Sequence, residues 1–273
     1  MLRQKTPDGW FLIRHPDHAA LAGQFALAWG NARFRKPAPF QDWAEGVRRH
    51  DDGWAERDRA PSITSAGKPS AFGADLVGGY TAFEEIDLPE YLGVRGRAME
   101  IVAADNPYAA ILISMHTCNL LTEHADRSTI RPDQLVLLDR FVTSQRQRQL
   151  ELRAEAAESQ RFSDEDLSVE RLLENFRLLQ ACDNLSLLSC VDFNKPATLL
   201  HSLPLCDGTT SEVTVQRTAL RTFRLTPWPL NEASLEFEIP GRPVAGDVFP
   251  DSKTLQERYA AAPTVMLTVR IHS

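Results

Sequence analysis

The sequence predicts a mainly α-helical protein, with a helical bundle over residues 1–195 and a small antiparallel β region over residues 196–273. In the first part, apolar residues recur at spacings of three and four, the period of a helix with one buried face. After Asn194-Lys-Pro196 the pattern changes to alternating or β-branched runs separated by Gly and Pro clusters, which is typical of strands. We therefore expect a helical domain followed by a β-rich C-terminal appendage.

The individual elements follow from these patterns. Trp10-Phe-Leu-Ile13 predicts a short strand. Helices are predicted over 16–29, 40–54, 94–104, 108–121, 132–159 and 168–191, and strands over 213–217, 220–225, 234–239 and 264–271. Residues 55–90 contain Gly and Pro too often for regular helices, so we expect a long loop of the kind that often covers a site. Arg57 and Lys68 in this loop could meet an anionic substrate, although lone cations of this kind are usually solvated.

Charge and composition limit the class of partner. The net charge of −7 argues against a nucleic-acid or membrane-surface role, since both need a basic face. The four cysteines form no CxxC pair, which indicates a reducing compartment. The polar N-terminal stretch contains no secretory signal, and no apolar run approaches the roughly 20 residues of a membrane span. We expect a cytoplasmic protein that binds a small molecule, with strand edges that can support a homo-oligomer.

An adjacent pair, His50-Asp51, lies at the end of the predicted helix 40–54, within a stripe of aromatic residues that includes Trp43 and Trp54. Aromatic residues at this spacing are expected to be core residues more often than pocket walls. An imidazole and a carboxylate turned toward a core are costly unless something there pairs with them. The pair therefore predicts a buried partner, and a metal ion is the candidate that we favour.

Three further ionisable residues interrupt apolar stripes on other predicted helices: His18, His116 and Asp183. One such residue is usually a satisfied core group, but several stripes facing a single core favour a shared site. Imidazole nitrogens and carboxylate oxygens suit Fe, Mn, Co, Ni or Zn, and the lack of thiolates disfavours a structural zinc–cysteine site. The predicted ligands of this divalent metal are His18, His50, Asp51 and Asp183.

Nearby residues offer alternatives to this set. His15 precedes its helix and fits the apolar stripe less well than His18 does. Asp52 competes with Asp51, and His124 lies toward a polar helix end, where we expect it to be exposed.

An early His, an adjacent His-Asp pair and a later Asp on separate helices resemble the HD superfamily of metal-dependent phosphohydrolases. The resemblance covers about residues 10 to 190, with His18, His50-Asp51 and Asp183 at the matching positions. The chain is also similar to an uncharacterised bacterial family with a His-Asp-x-Gly-Trp motif. The HD resemblance implies a helical bundle that hydrolyses a small phosphoester or nucleotide. Asp51 and His116 would act in catalysis, and His116 would either bind a second ion or donate a hydrogen bond to the phosphate.

Two other functions remain open at this stage. Some enzymes of the HD fold are similar to di-iron oxygenases, which implies oxygen chemistry on the same scaffold. Alternatively, the polar residues form a buried salt-bridged network in a non-enzymatic binding or scaffold module. In that case Arg14, Arg48 or Arg97 would be the partners of Asp51 and Asp183.

Overall fold

The computed structural model describes residues 1–78 and 86–273. Within these ranges the α-helices are α1 His15–Leu27, α2 Phe40–Arg49, α3 Leu88–Ala103, α4 Pro107–Thr122, α5 Pro132–Glu158, α6 Val169–Cys190 and α7 Ser252–Ala261. The strands are β1 Leu2–Thr6, β2 Gly9–Ile13, β3 Phe72–Gly73, β4 Ala197–Thr198, β5 Leu203–Pro204, β6 Thr210–Ser211, β7 Thr214–Ala219, β8 Thr222–Thr226, β9 Ser234–Ala245 and β10 Val265–His272. None of the helices in these ranges combines the length and hydrophobicity that a membrane span requires.

The prediction of a mainly α fold with a small C-terminal β region is wrong. Helix accounts for only 47% of the structure, and eight strands form a curled sheet in the order β3-β1-β2-β9-β10-β8-β7-β4. The N-terminal hairpin β1–β2 joins this sheet because β2 pairs antiparallel with β9, with Gly9 opposite Ala245. Strand β1 is short and polar. It pairs with β2, and the partner of β2 on its other side, β9, lies more than 200 residues away in sequence, so local patterns do not predict this part of the sheet.

The sheet contains strands from both predicted domains, with β1–β3 from residues 1–195 and the rest from residues 196–273. The core also crosses position 195, since the rings of Phe25 on α1 and Phe237 on β9 pack edge to face with centroids 4.8 Å apart. The division into domains 1–195 and 196–273 stays a prediction.

Helices α1 to α6 lie where the apolar periodicity predicts helices, with ends shifted by a few residues and α3 beginning earlier, at Leu88. Local chemistry accounts for several starts. The side chains of Asn106 and Ser168 accept hydrogen bonds from the backbone of Ala109 and Arg171, which caps α4 and α6. Helix α1 packs against α2 and α6, and α4 packs against α2, α5 and α6. These contacts bring the four helices that carry or precede predicted site residues, α1, α2, α4 and α6, around one core.

Candidate metal centre

The structure brings the five predicted site residues together. His18 lies on α1, His50 and Asp51 directly follow α2, His116 lies on α4 and Asp183 lies on α6. The four atoms His18 Nε2, Asp183 Oδ1, His50 Nε2 and Asp51 Oδ2 form a ring. Its successive separations are 3.2, 3.3, 3.8 and 3.6 Å. All five residues are at least nine-tenths buried.

Two overlapping sets of three residues each offer ligand atoms that all lie within 4.8 Å of one another: His18, His50 and Asp51, and His50, His116 and Asp183. Zinc-type bonds of about 2.1 Å in a tetrahedral arrangement place ligand atoms about 3.4 Å apart. The observed separations of 3.2 to 3.8 Å lie on either side of that value. His116 Nε2 lies 3.8 Å from the second oxygen of Asp183, Oδ2, and belongs to the second of these sets.

Hydrogen bonds behind the two ring histidines orient their Nε2 atoms toward the centre. His50 Nδ1 donates to the carbonyl of Val47 at 2.7 Å. Ser186 Oγ donates its proton to the His18 carbonyl at 2.8 Å. The same hydroxyl oxygen therefore accepts a hydrogen bond from His18 Nδ1 at 2.9 Å. Outer hydrogen bonds of this kind fix the tautomer of metal-binding histidines. They leave each Nε2 lone pair free to face the ring when the imidazole is neutral.

His50 Nε2 is a buried polar atom without a hydrogen-bond partner among residues 1–78 and 86–273. Asp183 Oδ1 lies 3.3 Å away, within reach of an ion pair when His50 carries a proton on Nε2. Buried nitrogen atoms are rarely left without a hydrogen-bond partner. An ion inside the ring would satisfy this atom, so the donor set and its geometry both fit a divalent metal.

The electrostatics of the cluster depend on its two carboxylates. Burial disfavours the charged form of Asp183, but the charge of His50 and the hydrogen bond from His18 outweigh it and lower the pKa of Asp183. Burial also opposes protonation of His18, yet hydrogen bonds to Asp183 and Asp51 raise its pKa well above the usual value. The histidines therefore hold protons that a cation would displace. His116 differs, because burial lowers its pKa to about 3 and leaves it neutral.

Arg95 on α3 completes the cluster, and the sequence analysis missed it. Its Nη1 donates to Asp51 Oδ1 at 2.5 Å, and its Nε donates to the Tyr91 hydroxyl at 3.1 Å. The rule that selects the histidines also applies to Arg95 once the whole of α3 is known. Arg95 interrupts a stripe of buried residues at spacings of three and four, which comprises Leu88, Tyr91, Leu92, Ala98, Met99 and Val102.

The arginine partners suggested for a buried network are wrong. Arg14 pairs with Asp17, and Arg48 pairs with Glu45, both on exposed faces. Arg97 forms no ion pair with Asp51 or Asp183, and it lies on the exposed side of α3. A helical stripe indicates which positions face inward, and all three of these arginines are exposed.

The surroundings of Gly53 explain why the His-Asp-x-Gly-Trp motif has a glycine at this position. It lies in a short 3-10 helix, Asp52–Trp54, that packs directly on the backbone of α3. A Cβ atom at this position would lie 2.7 Å from the amide nitrogen of Ala98 and even closer to the Val94 carbonyl oxygen. The glycine lets α3 approach closely enough for Arg95 to reach Asp51.

A cavity of about 210 Å³ opens onto His18, Asp51, His116 and Asp183. Its walls are mostly apolar and aromatic, formed by Trp54, Phe72, Leu76, Ile86, Tyr91, Leu120 and Leu187. Arg57 and Arg95 also line it. The predicted covering loop, residues 55–90, thus supplies part of the wall, although residues 79–85 of that loop lie outside the described residues.

The alternative site residues lie at the edge of the cluster or away from it. His15 stacks on Trp54 with ring centroids 4.2 Å apart, and its Nδ1 lies 3.1 Å from Asp58 Oδ2. Asp52 forms a salt bridge with Arg49 at 2.7 Å.

The remaining expectations about nearby side chains have mixed outcomes. His124 lines the cavity and is half-buried, so the expectation that it is exposed is wrong. Trp43 is a core residue that donates to the Asn175 carbonyl, as expected, whereas Trp54 lines the cavity. Arg57 lines the cavity as well, but Lys68 borders a separate surface pocket.

No curated protein and no solved structure shows a significant match to this chain. A family model described as a protein of unknown function, DUF3891, matches residues 1–245. The match extends from β1 to the end of β9 and includes every residue of the cluster. It is not a model of the HD superfamily, so that resemblance rests on the His/Asp cluster alone. The chain belongs to the DUF3891 family of proteins of unknown function.

Proposed function

We propose that this protein is a metal-dependent hydrolase that acts on a small phosphoester. The observation that carries the proposal is the ring of His18, Asp183, His50 and Asp51 atoms. Three of these residues, His18, Asp51 and Asp183, line a cavity together with Arg95. Two imidazoles and two carboxylates form a donor set suited to Mn, Fe, Co, Ni or Zn. When bound, such an ion lowers the pKa of a water molecule and polarises a phosphoryl oxygen.

The protein's own residues would orient the substrate. Arg95 is held by Asp51 and Tyr91, so its guanidinium is fixed at the cavity wall. A fixed guanidinium binds phosphate oxygens with defined geometry. Neutral His116 faces the same cavity and would donate a hydrogen bond to the phosphate. The apolar walls would exclude bulk water and strengthen these polar contacts.

The charge of the cavity favours an anionic substrate. A divalent cation would balance the charges of Asp51 and Asp183, which leaves the charge of Arg95 unbalanced. Arg57 is partly balanced by Glu90, whose Oε1 lies 3.1 Å from its Nε. Much of the remaining wall carries apolar and aromatic side chains. We therefore expect a phosphoester whose alcohol part is apolar or aromatic, and a nucleotide base would meet the same surface.

The Arg95–Asp51 ion pair also suits the alternative of a non-enzymatic buried network. Two imidazole nitrogens and two carboxylate oxygens converge, however, at successive separations of 3.2 to 3.8 Å, which is the ligand spacing that a bound ion requires. Asp51 also offers its second oxygen to the ring while the first accepts from Arg95. For these reasons we favour the metal site.

The test combines metal analysis with an activity panel on the full chain. Purified protein is loaded separately with Mn²⁺, Fe²⁺ and Zn²⁺, desalted and analysed for bound metal. Phosphate release is then measured from phenyl phosphate, glycerol phosphate and nucleoside monophosphates. We expect one ion per chain and the fastest release from an ester with an aromatic group. Asp183→Ala should lose both metal and activity, whereas the matched control Asp52→Ala should keep both, because Asp52 pairs with Arg49 outside the ring.

Two outcomes would contradict the proposal. Protein that retains no stoichiometric metal after loading cannot use this chemistry. Two bound iron ions with oxygen uptake and no phosphate release would instead support the di-iron oxygenase.

A further inference from the structure

A buried amide links the cluster to the C-terminal β region. Gln180 on α6 is fully buried and contacts histidines on both sides. Its Oε1 lies 2.5 Å from His201 Nε2, and its Nε2 lies 3.4 Å from His116 Nδ1. The same Gln180 Nε2 donates to Asn119 Oδ1 at 2.9 Å. One side chain therefore joins His201 to the cavity-lining His116.

The direction of these hydrogen bonds determines where His116 carries its proton. An amide nitrogen only donates, and an amide oxygen only accepts. With Oε1 accepting from His201, the Nε2 group of Gln180 faces His116, so His116 Nδ1 must accept. The proton of neutral His116 then resides on Nε2, which faces the cluster 3.8 Å from Asp183 Oδ2.

His201 adopts a backbone conformation that few residues other than glycine adopt. It lies in the loop between β4 and β5 with φ of 68°, in the left-handed region that disfavours residues other than glycine. Such strain persists only where the surroundings hold it, and it is often found at functional sites. Its ring is half-buried beside Phe176, with centroids 5.8 Å apart, and its Nε2 points to Gln180.

We propose that His201 is a positioning residue for His116. By donating to Gln180 Oε1, it fixes the amide orientation that places the His116 proton on Nε2. His116 then acts as a hydrogen-bond donor into the cavity and not as a ligand of a second metal ion. The inference assigns a role to the C-terminal β region, and it does not depend on which reaction the site performs.

The test reads the tautomer of His116 directly by nuclear magnetic resonance. Full-length protein labelled with ¹⁵N-histidine is studied near neutral pH, after chelator treatment and again after loading with Zn²⁺. The His116 signals are identified by their loss in His116→Ala. In the wild type we expect a protonated Nε2 and a pyridine-like Nδ1, with one Zn²⁺ per chain.

Two variants separate positioning from simple packing. His201→Phe keeps a ring beside Phe176 but removes the donor, so a second His116 tautomer should become populated. Gln180→Glu replaces the amide nitrogen with an acceptor, so the His116 proton should move to Nδ1. His272→Phe is the control, because His272 is half-buried on β10 and its Nε2 bonds to Thr218, and it should leave the His116 signals unchanged.

Circular dichroism establishes that each variant is folded, and if one fails to fold the other decides. A protonated Nδ1 in the wild type would overturn the proposal without any variant. Unchanged His116 signals in folded His201→Phe and Gln180→Glu would overturn it as well.

Discussion

Replacing Asp51 or Asp183 with alanine should abolish metal binding in both cases but destabilise the fold unequally. Asp51 is paired with Arg95 at 2.5 Å, and the two side chains are only 4% and 9% exposed. Removing the carboxylate leaves a buried guanidinium unpaired, which costs about 3–5 kcal/mol. Asp183 instead contacts His18 and His50, which can release their protons, so its loss should cost about 1–2 kcal/mol, the scale of lost hydrogen bonds.

The comparison is made on metal-free protein. Urea denaturation followed by circular dichroism gives the free energy of unfolding. In thermal unfolding, the melting temperature of Asp51→Ala should fall by roughly 6–20 °C. The double variant Asp51→Ala/Arg95→Met should recover most of that loss, because an apolar replacement removes the stranded charge. Equal destabilisation by Asp51→Ala and Asp183→Ala would refute the role given to Arg95. Metal retained by Asp183→Ala would refute the four-ligand ring.

Three further predictions follow from the site geometry. Gly53→Ala should lower the free energy of unfolding by about 1–3 kcal/mol, because its Cβ meets the α3 backbone. Gly93→Ala, on the exposed side of the same helix, should be neutral or stabilise by about 0.5–1 kcal/mol, and equal effects in denaturant titrations would contradict this contrast. Zn²⁺ affinity should rise with pH. Burial lowers the pKa values of His18 and His50 less than the carboxylates of Asp51 and Asp183 raise them, so bound protons compete with the ion at low pH. Calorimetry in buffers of different ionisation enthalpy should detect protons released when the ion binds, and no release would count against these ligands. His116→Ala should keep one metal per chain but lose most phosphate release, and loss of the metal would place His116 among the ligands.

The meeting of His18, His50, Asp51, His116 and Asp183 could be predicted because each helix carries its own evidence. An ionisable residue inside an apolar stripe must face the core, and helices around one core bring such residues together. Arg95 obeys the same rule, yet its stripe includes the polar hydroxyl of Tyr91 and begins at Leu88, within a segment that was assigned to a loop. The error in the start of α3 therefore hid the partner of Asp51.

The large sheet could not be predicted in the same way. Strand pairing is specified by a distant partner, and the alternation in β9 indicates a strand without indicating its neighbours. Nothing in Gly9–Leu12 identifies Arg242–Ala245 as the residues beside it. His201 is a similar case, because its contact with Gln180 arises from a loop whose unusual φ has no glycine to signal it.

The position of β9 and β10 in the middle of the sheet has a consequence for folding. These strands connect an N-terminal group, β3-β1-β2, to a C-terminal group, β8-β7-β4, although they are encoded near the far end of the chain. During synthesis, the β1–β2 hairpin has an unpaired edge along β2 until residues 242–245 emerge from the ribosome and can pair with it. Contacts of such long sequence separation form slowly, and an open strand edge can recruit other chains meanwhile. Nascent chains of this protein should therefore benefit from chaperones that shield strand edges until β9 is in place.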